Sequence, residues 1–139
     1  MKRTTIRPVQ VDLAPKELDE GILYVSQKYK AAVHKCCCGC GEKVVTPLSP
    51  AHWQVRITNE AVTLHPSVGN WGMACKSHYW IKNNRVIWAG KFSGAKIEAV
   101  RRRDSADQRQ YINQANRQKK GDAKLQVFSD WIKRLISGK

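Results

Sequence analysis

Short apolar runs separated by turn-forming residues fill most of the chain up to residue 90. Runs at 22–26, 31–34 and 44–46 have the length of strands, and Gly21 and Pro47 mark their outer limits. Further runs follow after residue 50. The pattern predicts a small antiparallel β-domain over 21–89 with six or seven short strands.

Two β-hairpins are predicted in the second half of this region. The first covers 53–64, where apolar and polar residues alternate around a turn at Asn59-Glu60. The second covers 79–88, with its turn at 82–84. Residues 65–70 are rich in Pro, Gly and Asn, so we expect a loop there.

A different pattern begins after residue 90. Residues 101–120 are polar and compatible with a helix, and Gly121-Asp122 predicts a break, with Asp122 as an N-cap. Apolar residues then recur at the three-and-four spacing of an amphipathic helix over 125–136. At the other end of the chain, 1–20 is expected to be an arm with one helical turn at 16–20.

The chain is strongly basic, and half of the excess charge lies near its C-terminus. The formal net charge is +14 over 139 residues, and residues 101–139 hold 11 basic and 4 acidic side chains. Such a segment attracts polyanions, so nucleic-acid binding is one hypothesis. Its candidate phosphate contacts are Arg101, Arg102, Arg103, Arg109, Arg117, Lys119 and Lys120.

The cysteine distribution indicates a metal rather than disulfides. Four of the five cysteines lie within five residues, at 36, 37, 38 and 40. Neighbours so close are poor disulfide partners, and disulfide frameworks spread their cysteines. The basic N-terminus has no apolar run behind it, and no segment approaches the length of a membrane span. We therefore expect a protein of the reducing cytoplasm.

Two ligand pairs on separate turns predict one zinc ion. Cys38 and Cys40, flanked by glycines, form the first pair, and Cys75 and His78 form a C-x-x-H second pair. Zinc takes thiolate and imidazole ligands, and two such turns can converge across a small β-fold. Cys36 is the leading alternative within the first pair. A [2Fe–2S] cluster is the alternative cofactor, although the first turn lacks the histidine of a Rieske centre.

Several motifs resemble a small bacterial family of predicted metal-binding domains. They include 21–26, 34–41, 46–50, 64–71 and 75–81, and they follow the pattern C-x-C-G-C-G and then C-x-S-H-[YF]-W. The resemblance covers roughly residues 20–90, with Cys37 at a variable position. Some members are similar to components encoded beside prokaryotic ubiquitin-like conjugation enzymes. The resemblance therefore implies a metal-binding role in such a system.

These observations predict a mainly β fold of the zinc-ribbon or Rieske-like type with a basic C-terminal helical extension. The expected division is an arm over 1–20, a metal-binding β-domain over 21–90 and a helical extension over 91–139. We expect a structural zinc-binding interaction module with a protein partner rather than an enzyme. Three cysteines and one histidine would already fill a zinc shell, and the zinc-deaminase pattern is absent.

Overall fold

A computed structural model describes residues 1–90 and 93–138; residues 91 and 92, at the start of the predicted extension, and Lys139 lie outside the described residues. Eight strands and a helix follow one another. They are β1 (Arg7–Gln10), β2 (Ile22–Ser26), β3 (Ala31–Lys35), β4 (Lys43–Pro47), β5 (Gln54–Thr58), β6 (Ala61–Gly69), β7 (His78–Lys82), β8 (Arg85–Trp88) and α1 (Gly94–Ser137). The predicted fold class, mainly β with a C-terminal helical extension, is confirmed.

The strands form two four-stranded sheets. The first has the order β1-β2-β3-β4 and the second the order β5-β6-β7-β8, so strands adjacent in sequence are also neighbours in space. All pairs are antiparallel except β1 and β2, which are parallel. The second sheet therefore carries both predicted hairpins.

Both hairpin turns use left-handed backbone conformations. Asn59 and Glu60 have φ of 49° and 62°, and Asn83 and Asn84 have φ of 47° and 64°. Two successive residues with positive φ give a turn whose twist matches that of the strands. The Asn84 side chain joins the second turn to β6, because its Oδ1 accepts a hydrogen bond from Val62 N at 2.7 Å.

Three expectations for residues 1–90 differ from the observed fold. The segment taken as an arm contains β1, whose Val9 pairs with Tyr24, and 16–20 form no helical turn. Residues 65–69, expected as loop, continue β6 instead. The register between β6 and β7 shifts between Leu64 and Val68, so Pro66 is accommodated at an irregularity rather than ending the strand.

One main core joins the two sheets. Its members are buried apolar side chains from both, including Leu23 and Val25 of β2 and Leu64, Tyr79 and Ile81 of the second sheet. A smaller cluster of Leu18, Tyr24 and Val33 lies against the first sheet. Cys36 and Cys37 belong to the main core, so the cysteine-rich turn is anchored in it.

The helix α1 has 44 residues, and none of its described residues is buried. The predicted break at Gly121-Asp122 is wrong, since the helix runs through both residues. A single glycine in a helix interior costs only about 1 kcal/mol. The chain divides into two units, Met1–Ile97 and Glu98–Lys139. In the described part of the chain, no helix combines the length and apolarity needed to cross a membrane.

Candidate functional site: a cysteine cluster and a serine–histidine pair

Four cysteine sulfurs converge at one end of the β-domain. The Sγ atoms of Cys36, Cys38, Cys40 and Cys75 all lie within 4.8 Å of one another. The first three follow β3 on a turn, and Gly39 within that turn has φ of +86°. A Cβ at position 39 would come within 2.7 Å of the Met1 nitrogen, so glycine satisfies both the backbone and the space.

Cys36 is the buried member of the cluster and has several polar neighbours. Its Sγ lies 3.4 Å from Cys38 Sγ, 3.9 Å from Cys75 Sγ and 3.0 Å from Ser77 Oγ. Asn70 Nδ2 donates hydrogen bonds to the same sulfur at 3.4 Å and to Ser77 Oγ at 2.8 Å. Such donors around a sulfur fix its orientation.

The thiols around this turn differ in acidity. Burial opposes ionisation of Cys75, but hydrogen bonds with the Ser77 side chain and backbone and with the side chains of Cys38 and Cys40 together outweigh it, so the pKa of Cys75 falls to about 7. Burial raises the pKa of Cys37 to about 12. Cys37 also lies outside the group of four. It is a buried core thiol.

Three of the four predicted ligands are brought together, and one is not. Cys38, Cys40 and Cys75 lie in the cluster together with Cys36, the alternative that the sequence offered. His78 is not in the group. Strand β7 begins at His78, whereas the contact with Cys36 is made by Ser77. The assignment of metal ligands itself stays a prediction.

His78 contacts a serine instead. Its Nε2 lies 2.9 Å from Ser67 Oγ. His78 is paired with Gly69 across β6 and β7, which puts Ser67, two residues before Gly69, diagonally opposite on the same face. Ser67 lies in the irregular stretch of β6 and is half-buried.

Two tryptophans pack on the His78 ring. The ring centroids of Trp71 and His78 are 4.8 Å apart, and those of Trp80 and His78 are 5.1 Å apart. A third tryptophan, Trp53, donates its Nε1–H to the Ser67 carbonyl oxygen at 3.3 Å. The serine–histidine pair therefore lies in an aromatic setting built from β7, the loop after β6 and the residue before β5.

A second serine–histidine contact is of a different kind. Ser49 Oγ lies 2.8 Å from His52 Nδ1, within a turn closed by the bond from His52 N to Ser49 O. These residues are three positions apart, and the contact uses the ring nitrogen nearer the backbone. In serine–histidine catalysis the hydroxyl contacts Nε2 and leaves Nδ1 to an orienting partner. The contact of Ser67 is made with Nε2, whereas the contact of Ser49 is made with Nδ1 and stabilises a local turn.

Sequence reasoning missed Ser67. No local signature marks it, because its partner is 11 residues away across a strand pair whose irregular register was not predicted. The predicted polyanion-binding residues are all exposed on α1. They are Arg101, Arg102, Arg103, Arg109, Arg117, Lys119 and Lys120. Nothing else in the described residues tests a nucleic-acid role, so it stays a prediction.

A family comparison bears directly on this geometry. The family model for the bacterial ubiquitination-like system serine protease (BubE) matches residues 10–89, more than half of the chain. The chain belongs to this family. The expected link to a ubiquitin-like system is thereby confirmed. Neither the curated proteins nor the solved structures gave a match.

A serine protease needs a nucleophilic serine, and four serines lie within the matched residues. Ser26 is buried and its Oγ donates to Asp12 O at 2.7 Å, and Ser77 is buried against Cys36 Sγ. Ser49 belongs to the local turn. Ser67 is the one with a long-range contact to a histidine Nε2 and a half-buried position. The expectation of a non-enzymatic module had weighed zinc and cysteine chemistry and no serine nucleophile.

Proposed function

We propose that this chain is a serine hydrolase of a bacterial ubiquitination-like system, with Ser67 as nucleophile and His78 as general base. The observation that carries the proposal is the 2.9 Å contact between Ser67 Oγ and His78 Nε2 within a chain of this family. A nucleophile and base within hydrogen-bond reach is the geometric requirement for this chemistry.

The two residues would act in the usual order of acyl transfer. Ser67 Oγ attacks the carbonyl carbon of the substrate while its proton passes to His78 Nε2. The carbon–nitrogen or carbon–oxygen bond then breaks, and His78 gives that proton to the leaving group. Water, deprotonated by His78, next attacks the acyl-serine ester; the bond between the acyl carbon and Ser67 Oγ breaks, His78 returns the proton to Oγ, and the acid is released. The acyl group we propose is the C-terminus of a ubiquitin-like modifier, which makes the modifier the protein partner.

The cysteine cluster supports a structural zinc ion as the second part of the proposal. Zinc–sulfur bonds of about 2.3 Å in a tetrahedron place the sulfurs about 3.8 Å apart. Cys36 Sγ lies 3.4 Å and 3.9 Å from its neighbours Cys38 and Cys75, close to that spacing. Cys36, Cys38, Cys40 and Cys75 would hold the ion in a closed shell, so it would stabilise the fold and take no part in bond cleavage.

A [2Fe–2S] cluster fits the cysteines less well. Its two irons separate the sulfurs into two pairs, whereas the four sulfurs here all lie within 4.8 Å of one another. Zinc binding requires the cysteines to stay reduced. The cytoplasm is a reducing compartment, so we propose it as the location of the protein. The zinc site inferred from the sequence thus remains part of the proposal, in which the ion stabilises the β-domain that carries the proposed active site.

Cleavage of a modifier fusion tests the function. The substrate is the ubiquitin-like protein of the same system with a short peptide fused to its C-terminus, followed by mass spectrometry. Wild-type protein should release the peptide. Ser67→Ala and His78→Asn should lower kcat by about 10²-fold or more. Ser49→Ala is the matched control, because it removes the local serine–histidine contact and should leave the rate unchanged.

Two outcomes would overturn the proposal. One is cleavage by Ser67→Ala at the wild-type rate. The other is a loss in Ser49→Ala equal to that in Ser67→Ala, since the effect would then follow damage to the β-domain rather than removal of the nucleophile. Circular dichroism of each variant, compared with wild type, separates a folded but inactive protein from an unfolded one.

A further inference from the structure

The imidazole of His78 is held by indole rings on two different segments. Trp80 is two residues further along β7, so both side chains project from the same side of the strand. Trp71 lies in the loop between β6 and β7 and approaches the ring from outside the strand. The two ring pairs are tilted by 41° and 60° respectively.

We propose that Trp71 and Trp80 are positioning residues that orient the His78 ring toward Ser67, and that Gly69 is the residue that admits Trp71. The inference rests on the proposed function, because it assigns a role in that site. The second torsion of a histidine side chain is soft, so packing must fix the direction in which Nε2 points. Two indoles in contact with the ring provide such packing.

Gly69 makes the Trp71 contact sterically feasible. Gly69 is the residue paired with His78 across the two strands. A Cβ at position 69 would lie 2.5 Å from Trp71 Nε1 and 2.6 Å from Cε2. Both atoms belong to a rigid ring, so the indole would have to move. Trp71 therefore occupies the space that a side chain opposite His78 would fill.

The packing of the two indoles on His78 also suits the transfer of the Ser67 proton to that ring. His78 becomes an imidazolium when it takes the proton of Ser67, and the face of an indole attracts a cation within about 6 Å of the ring centroid. Both centroid distances, 4.8 Å and 5.1 Å, fall within that range. The tryptophans would thus favour the state formed during attack as well as the direction of the ring.

Variants of the full chain test this proposal. Trp71→Ala and Gly69→Ala should lower kcat on the modifier fusion by about 10-fold to 10²-fold with KM unchanged, because the base is misdirected. Trp80→Ala should act in the same direction. Trp71→Phe keeps a flat ring and should recover most of the loss. Gly72→Ala is the matched control, since a Cβ there meets no atom within 4 Å.

A spectroscopic readout separates this inference from the proposed function. Indole ring currents shift the His78 ring protons in the NMR spectrum, and Trp71→Ala and Gly69→Ala should move those resonances while Gly72→Ala should not. If the wild-type protein does not hydrolyse the fusion, the proposed function is wrong. The NMR shifts would still show whether Trp71 and Gly69 set the position of the His78 ring. Three results would overturn the positioning role. They are His78 resonances that do not move in Trp71→Ala and Gly69→Ala, a wild-type kcat in Trp71→Ala, and a variant that raises KM without lowering kcat.

Discussion

Ser77 Oγ lies 3.0 Å from the Sγ of Cys36, and Ser77 is the residue directly before His78. The loop that ends at His78 is closed by the hydrogen bond from Asn70 N to Ser77 O at 2.9 Å. Asn70 in turn follows Gly69, the partner of His78 in the strand pair. The cysteine cluster and the serine–histidine pair are therefore linked through one short loop.

Substitution of single cysteines should distinguish cluster members from their neighbour. Cys36→Ser should lower the zinc content of the purified protein, because Cys36 is the buried sulfur shared by most contacts of the cluster. Cys37→Ser should keep its zinc, since Cys37 lies outside the group. Elemental analysis gives the metal content. Equal loss in the two variants would argue against the four-cysteine site.

Removal of the metal should lower hydrolysis even though no ligand takes part in bond cleavage. Cys75 and Ser77 precede His78 on the same loop, so loss of the ion should loosen the position of the base. We expect dialysis against a chelator to reduce kcat and added zinc to restore it. Full activity in metal-free protein, verified by elemental analysis, would show that the loop holds its shape without the ion.

Tyr79→Phe should destabilise the β-domain by about 1–3 kcal/mol, the cost of leaving a buried polar group unsatisfied. Tyr79 and His34 are both fully buried, with Tyr79 Oη 2.8 Å from His34 Nε2. Burial lowers the pKa of His34 to about 4, so the ring is neutral at pH 7 and still needs its hydrogen-bond partner. Urea denaturation measures the change.

The control for this variant is Tyr111→Phe, which removes a hydroxyl from a tyrosine 40 % exposed on α1. It should leave the free energy of unfolding unchanged. Equal stability of the Tyr79 and Tyr111 variants would mean that the buried contact contributes nothing measurable.

The hairpins were predictable because their signals are local. Asn59-Glu60 lies between two runs of matching strand length, and the left-handed backbone of that turn follows from its geometry. The grouping of Cys36, Cys38 and Cys40 was predictable for a related reason. They are so close in sequence that one turn brings them together, whereas Cys75 joins them only after β4, β5 and β6.

The pairing of Ser67 with His78 was not predictable from local patterns. The C-x-x-H spacing matched a zinc knuckle, but β7 begins at His78 and strand alternation directs its side chain to the face that it shares with Trp80. Ser67 reaches that face because β6 continues past Pro66 with a shifted register. Both facts depend on how two strands align, which single-segment patterns do not encode.

Gly121→Ala should strengthen α1. Gly121 lies in the interior of the helix, and a Cβ there meets no atom within 4 Å. Alanine in place of an interior glycine favours a helix by roughly 1 kcal/mol. Amide hydrogen exchange of residues around position 121 should slow in the variant. Unchanged or faster exchange would indicate that the helix is interrupted at Gly121-Asp122, as the sequence pattern had suggested.

Covalent labelling tests the central claim most directly. A fluorophosphonate reacts with a serine hydroxyl that an adjacent base activates, and peptide mapping by mass spectrometry locates the adduct. We predict a single adduct on Ser67 in the wild-type protein, slow labelling in His78→Asn, and unchanged labelling in Ser49→Ala. An adduct on Ser49, or labelling of Ser67 that is as fast without His78, would contradict the account.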